Sequence, residues 1–209
     1  MADRDAILPQ QGTPSRTIVD SVEWLFEPYW PGDRLIARLA EGDVTLTDTA
    51  GHRAGPEFDD SAKLLVMAID ADSAVVDGIW TSQAFMGHGD DLSGTEALHA
   101  FVAIDLLELD GAALFDIPFQ ERRRLLASVV AEGRRVRISP TVRVPLQPWL
   151  VAWRGDGFSR YVAKHQNSRY RPGEQAQDWL ILSVEPERSP SLVARMFGRR
   201  RTKPRRIED

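Results

Sequence analysis

The chain has 209 residues with 31 acidic and 26 basic side chains, a formal charge of −5, and its 43% hydrophobic share is that of an ordinary globule with a real core. It contains no cysteine, which excludes disulfides and thiolate metal sites. No apolar run reaches the roughly 20 residues of a membrane span, and the N-terminus lacks the apolar core of a signal peptide. A cytoplasmic bacterial protein with no membrane partner is the expectation.

Residues 1–16, rich in Pro, Gln and polar side chains, read as a flexible N-terminus. Residues 22–30, 34–42 and 43–51 alternate apolar and polar positions between turn residues at Pro31-Gly32, Gly42-Asp43 and Ala50-Gly51, and read as three strands. Residues 56–70 open with Pro and acids and then place Phe58, Leu64, Leu65, Ala68 and Ile69 at helical spacing. A short strand follows at 73–80, then a loop at 86–96.

The apolar run 98–111, ending in Asp-Gly, reads as a buried strand. Residues 118–133 have Pro at the start and Gly past the end, the marks of a helix. A strand region at 134–144, a short helix at 146–157, a strand at 158–166, a turn at 169–177 and a strand at 178–185 complete the body. Strands and helices interleave without a βαβ rhythm, so α+β is expected over doubly wound α/β.

Charge is unevenly placed. Residues 195–209 carry seven Lys/Arg against two Asp/Glu, which leaves −10 on the rest of the chain. The body is a poor general binder of phosphate backbones. Arg195, Arg199, Arg200, Arg201, Lys203, Arg205 and Arg206 are the nucleic-acid-binding candidates; the competing reading of the 188–209 tail is a solvated, flexible end. Only three lysines exist, Lys63, Lys164 and Lys203. "HGDD" (88–91) with His99 lacks the helical spacing of a metal site and reads as a solvated loop. Trp149 and Trp153 fall on one helical face, as packing residues do.

Four stretches carry a family likeness: "FEPYWPGDR" (26–34), "AIDLLELDG" (103–111), "DIPFQERRRLLASVV" (116–130) and "YVAKHQNSRYRPGEQAQDWLIL" (161–182). In this order they resemble the adenylation (nucleotidyltransferase) domain of bacterial ATP-dependent DNA ligases, most closely those of end joining. The resemblance implies a ligase-type, ATP-grasp-like domain over 17–187, with antiparallel sheets flanked by helices. About two dozen residues follow Glu185, so no OB-fold domain is expected after it.

The resemblance also assigns the chemistry. That family needs a lysine nucleophile, further cations on the phosphates, and carboxylates for the metal. Here Tyr29 stands at the nucleophile position and Pro31 at the Asp that follows it. Thr49 stands where a ribose-contacting Arg is expected, Ile79 for a metal-linked Glu, and Ile104 for the adenine-stacking aromatic. Ser159 replaces the Glu of a Glu-Gly pair, and Ile181 and Ser183 replace two lysines. Glu27, Gly32, Arg34, Asp77, Gly78, Asp105 and Lys164 are retained.

The expectation is therefore a catalytically inactive ligase-like domain, without cofactor or metal. It would act as a binding or scaffolding protein with a protein partner in DNA repair and a weak nucleic-acid contact through the tail. The alternative is a nucleotidyltransferase with a non-standard site, in which Glu27, Arg34 and Lys164 hold ATP with Mg. Lys164 reads equally as a phosphate ligand or as a lysine held by a carboxylate such as Glu27.

Overall fold

The computed structural model describes residues 6–85 and 98–185, arranged as two β-sheets with helices on their outer faces. Strands β1 (Gln11–Pro14) and β2 (Trp24–Pro28) come first, then β3 (Asp33–Ala40) and β4 (Asp43–Thr47). Glu41 and Gly42, at φ 53° and 78°, turn β3 into β4, the two successive left-handed residues that a tight hairpin requires. A 3₁₀ turn (Pro56–Phe58) leads into α1 (Asp59–Ala68). Asp59 and Asp60 sit in its first turn, where carboxylates favour the helix dipole.

Next come β5 (Ala74–Thr81), β6 (Ala100–Leu109), β7 (Ala112–Ala113), α2 (Phe119–Val129) and β8 (Val136–Ile138). The described chain closes with α3 (Gln147–Gly155), β9 (Arg160–His165) and β10 (Gln175–Ser183). The larger sheet runs β4-β3-β5-β6-β7, with β8 parallel to β6; the smaller runs β1-β10-β9-β2. Apart from β6/β8 and β1/β10, all pairs are antiparallel. The α+β class is as expected, and among the described residues no helix is long and apolar enough to cross a membrane.

β5 and the first eight residues of β6 are buried throughout, the fate of strands covered on both faces. On the outer side Leu35, Leu39, Val76, Phe101 and Leu106 pack against Leu65 of α1 and Leu126 of α2. The smaller sheet turns Phe26, Tyr161 and Leu182 outward onto Leu150 and Trp153 of α3. Between the sheets lie Ile36, Val75, Leu107, Tyr170, Ala176 and Trp179.

Three expectations change. The N-terminus expected to be flexible carries β1, and Gln11 N at its start and Ser15 N just past its end donate into the smaller sheet, to Glu174 O at 2.8 Å and Ile181 O at 2.9 Å. Its composition is not strand-like because it supplies an edge, where backbone matters more than side chains. The strand region 134–144 is strand only over Val136–Ile138. Beyond Pro140 the chain changes sheets, and Val142 bridges Phe26. Trp153 is 4% exposed but Trp149 is 44% exposed, so the two do not share a packed face. "HGDD" and the basic tail lie outside the described residues.

Candidate functional site

Strand alternation sends every second residue of the smaller sheet toward the larger one. Glu27 of β2, Val162 and Lys164 of β9, and Trp179 and Ile181 of β10 therefore face Arg34 of β3, Ile79 of β5 and Ile104 of β6. These residues, with Gly12, Tyr29 and Trp30, enclose a cavity of about 60 Å³. Seven of the positions singled out in the sequence meet there: Glu27, Tyr29, Arg34, Ile79, Ile104, Lys164 and Ile181.

Each retained charge has a partner. Lys164 and Glu27 are both 1% exposed. Lys164 Nζ donates to Glu27 Oε2 and to the Ile104 carbonyl, both at 3.1 Å. It also lies 4.2 Å from the Trp179 ring centre and 4.6 Å from that of Phe119, within cation–π range. Burial pushes the Lys164 amine below its ordinary pKa, against the opposing pull of Glu27. Thr141 Oγ1 donates to the other Glu27 oxygen at 3.3 Å.

Arg34 binds Asp77 through two bonds of 2.9 and 2.6 Å. Burial opposes its charge, but Asp77 outweighs burial and holds the guanidinium above its ordinary pKa. Tyr170 Oη donates to Asp77 Oδ2 at 2.8 Å and accepts from the Gln10 amide at 3.0 Å. Burial, then the Asp77 charge, pushes the Tyr170 phenol well above its ordinary value. Asp105 is held by Arg122 through two 2.8 Å bonds, with both side chains at 0% exposure. Arg122 also donates to the carbonyls of Ile117 and Ser168.

Tyr29 stands, partly exposed, at the mouth of the cavity. The Arg160 guanidinium lies 4.0 Å from its ring centre, and its amide donates to the Arg160 carbonyl at 3.1 Å. Gly78 is required by packing, since a Cβ there would sit 2.2 Å from Phe101. Pro31, Thr49, Ser159 and Ser183 do not line the cavity, and all four are exposed. Thr49 belongs to a separate groove with Asp33, Asp48 and Glu57. Ser183 continues the Ile181 face of β10 outward past the mouth. Among the described residues no group of three or more His, Asp or Glu is arranged to hold a metal ion.

Sequence reasoning missed Arg122, Tyr170, Gln10 and the wall residue Gly12. For Arg122 a signal existed: it falls three residues after Phe119 and four before Leu126, on the buried stripe of α2. Tyr170 and Gln10 carried none, because their partners are 93 and 160 residues away.

Two sheets facing each other across a cleft lined by paired charges define a nucleotidyltransferase domain of the ligase type. The chain belongs to the ATP dependent DNA ligase domain family, which it matches over residues 21–182. It is 27% identical over 166 residues to the multifunctional non-homologous end joining DNA repair protein LigD of Mycobacterium tuberculosis (strain H37Rv), covering 76% of this chain and 21% of that protein. It is 25% identical over 191 residues to DNA ligase C1 of Mycolicibacterium smegmatis, covering 82% of this chain and 53% of that one. The crystal structure of the ligase domain of M. tuberculosis LigD superimposes with a TM-score of 0.66 at 25% identity, over 84% of this chain and 58% of that domain. The chain thus spans about a fifth of LigD and about half of ligase C1.

Proposed function

We propose that this is a catalytically silent adenylation domain that serves as a binding or scaffolding module among DNA-repair proteins. The observation that carries the reading is the buried Lys164–Glu27 pair, closed on itself beneath hydrocarbon from Ile79, Ile104 and Ile181. Nucleotidyl transfer in a ligase-type site needs a free amine, cations for the phosphates and carboxylates for a metal. Lys164 and Arg34 are each committed to a carboxylate, and Glu27 and Asp77 are those carboxylates. At about 60 Å³ the cavity is well below the roughly 300–1,000 Å³ of small-molecule pockets. The small cavity and the committed charges support a site that does not take a metal-bound nucleoside triphosphate.

Charged chemistry can be lost without loss of the fold, because hydrocarbon in place of buried ions is often neutral or stabilising. The repair setting rests on LigD, the relative whose name states it. Intact-mass spectrometry after incubation with ATP or GTP and Mg²⁺ or Mn²⁺ tests the reading. An unchanged mass is expected. A nucleotide adduct mapped to Tyr29 or Lys164 overturns it in favour of a non-standard nucleotidyltransferase.

A further inference from the structure

The mouth of the cavity lies beside the end of β10. On β10 Ile181 pairs with Val162, both in the cavity wall, and the next inward-facing pair is Ser183 with Arg160, whose guanidinium covers Tyr29 at the mouth. Val184 is tied to Ser159 by a 3.0 Å backbone bond, so the chain passes Glu185 beside that mouth. On its other side the cavity shares Arg34 with a groove of about 490 Å³ that contains Asp33, Asp48 and Glu57. A second hollow of about 410 Å³ shares Asp33 and Glu57 with that groove and adds Asp60.

The cations beside these acids are largely committed. Arg34 is bound to Asp77, and Arg135 lies 3.9 Å from Asp60; Arg53 also lines the groove. His52 lies 3.5 Å from Asp48. The surface therefore runs from aromatic and aliphatic side chains at the mouth, with Arg160 over Tyr29, to mainly acidic side chains along the groove.

The sequence beyond Glu185 has the complementary order. Leu192, Val193, Met196 and Phe197 come first, and Arg199, Arg200, Arg201, Lys203, Arg205 and Arg206 follow. Arg195 lies ten residues beyond Glu185, a reach of roughly 33 Å when extended. We propose that residues 192–206 dock in cis on this surface. The apolar quartet covers the mouth at Tyr29, Ile79 and Ile181, and the arginines lie along Asp33, Asp48 and Glu57. The tail is then an intramolecular occupant of this surface. The inference goes beyond the function proposed above and requires only that no nucleotide fill the cleft.

The absence of cysteine permits a direct test in the full chain. Thr49→Cys in the groove is paired with Thr202→Cys in the tail. The control pairs Thr202→Cys with Val151→Cys, on the 64%-exposed outer side of α3. Under mild oxidant without nucleotide, the groove pair is expected to close within the monomer on the order of tenfold faster than the control. Adding Leu192→Asp with Phe197→Asp, or raising the salt, should erase that advantage. Equal closure rates for the two pairs overturn the proposal, as does an advantage that survives both changes. An adduct with ATP would refute the silent-site reading alone, since no nucleotide enters this experiment.

Discussion

Lys164 Nζ sits 3.1 Å from Glu27 Oε2, diagonally across the neighbouring strands β9 and β2, with Trp179 and Phe119 on its apolar flanks. Both residues are 1% exposed, so each charge is stabilised chiefly by the other. That geometry makes the pair a structural unit. Its members are worth little singly and cost much when separated, because a lone ion is left in a low-dielectric interior.

Lys164→Met is accordingly expected to destabilise the fold by about 3–5 kcal/mol, since Glu27 then lies buried without its cation. Lys164→Met combined with Glu27→Gln should recover part of that loss, with a coupling of about 1–3 kcal/mol. Urea unfolding of the two single variants and the double variant measures the cycle. Additive losses would show that the pair does not act as a unit.

The same site fixes a pH dependence. Burial lowers the folded-state pKa of Lys164 below its unfolded 10.5, so between those two values the unfolded chain binds more protons. Stability should therefore rise with pH as the amine deprotonates, up to about pH 10. Tyr161 and Tyr170 act with the opposite sign. Their folded pKa values are raised above 10.0, so their contribution is present below pH 10 and is lost above it. Thermal melts from pH 8 to 11 should show a rise and then a fall, and Lys164→Met should remove the rise.

Much of the site was legible because strands bring fixed sequence positions to fixed faces. Glu27, Arg34, Ile79, Ile104, Lys164 and Ile181 converge once two sheets face each other, and family order places those sheets. What could not be read is long-range. Gln10 meets Tyr170 only because β1 pairs with β10, and nothing in a Pro- and Gln-rich terminus announces an edge strand. Val142 turns from one sheet to the other at Pro140, a choice made by packing and not by propensity. Arg122, the first of three consecutive arginines, lies on the buried side of α2 against Asp105.

Gly78 sets how closely β5 and β6 can meet. A Cβ there would fall 2.2 Å from Phe101 Cζ and 2.9 Å from the Val102 carbonyl, and Phe101 is fully buried with little room to move. Gly78→Ala should cost about 1–3 kcal/mol or more through overpacking between Asp77 and Ile79. Chemical denaturation reads the loss, and an unchanged midpoint would contradict the tight packing at Phe101.

Tyr29→Lys alone should not confer nick sealing. A new amine would stand near Arg160 and Arg34, while Glu27 and Asp77 stay bound to their cations and Ile79 stands where the family resemblance places a metal-linked carboxylate. Groups that act as a set are strongly non-additive, so one restored member recovers little. A nicked duplex sealed with turnover by the single variant would show that the remaining charges suffice.

Nucleic-acid binding by the full chain should reside in Arg195 to Arg206, because the remainder of the chain carries −10 and repels a phosphate backbone. Replacing Arg199, Arg200 and Arg201 by Gln should weaken duplex binding independently of sequence. It should also lower the slope of log affinity against log salt by about 0.9 for each phosphate that is no longer neutralised. The acidic groove adds a second, opposite expectation. Asp33 and Glu57 compete with phosphate for the same cations, so Asp33→Asn with Glu57→Gln should tighten DNA binding by removing the internal competitor. Fluorescence anisotropy of a labelled duplex at two salt concentrations separates these effects. Weaker binding by the arginine variant with tighter binding by the groove variant places both ligands on one tail. Unchanged affinity in the arginine variant moves the DNA-binding surface onto the folded body, where Arg160, Arg169 and Arg171 would be the next residues to neutralise.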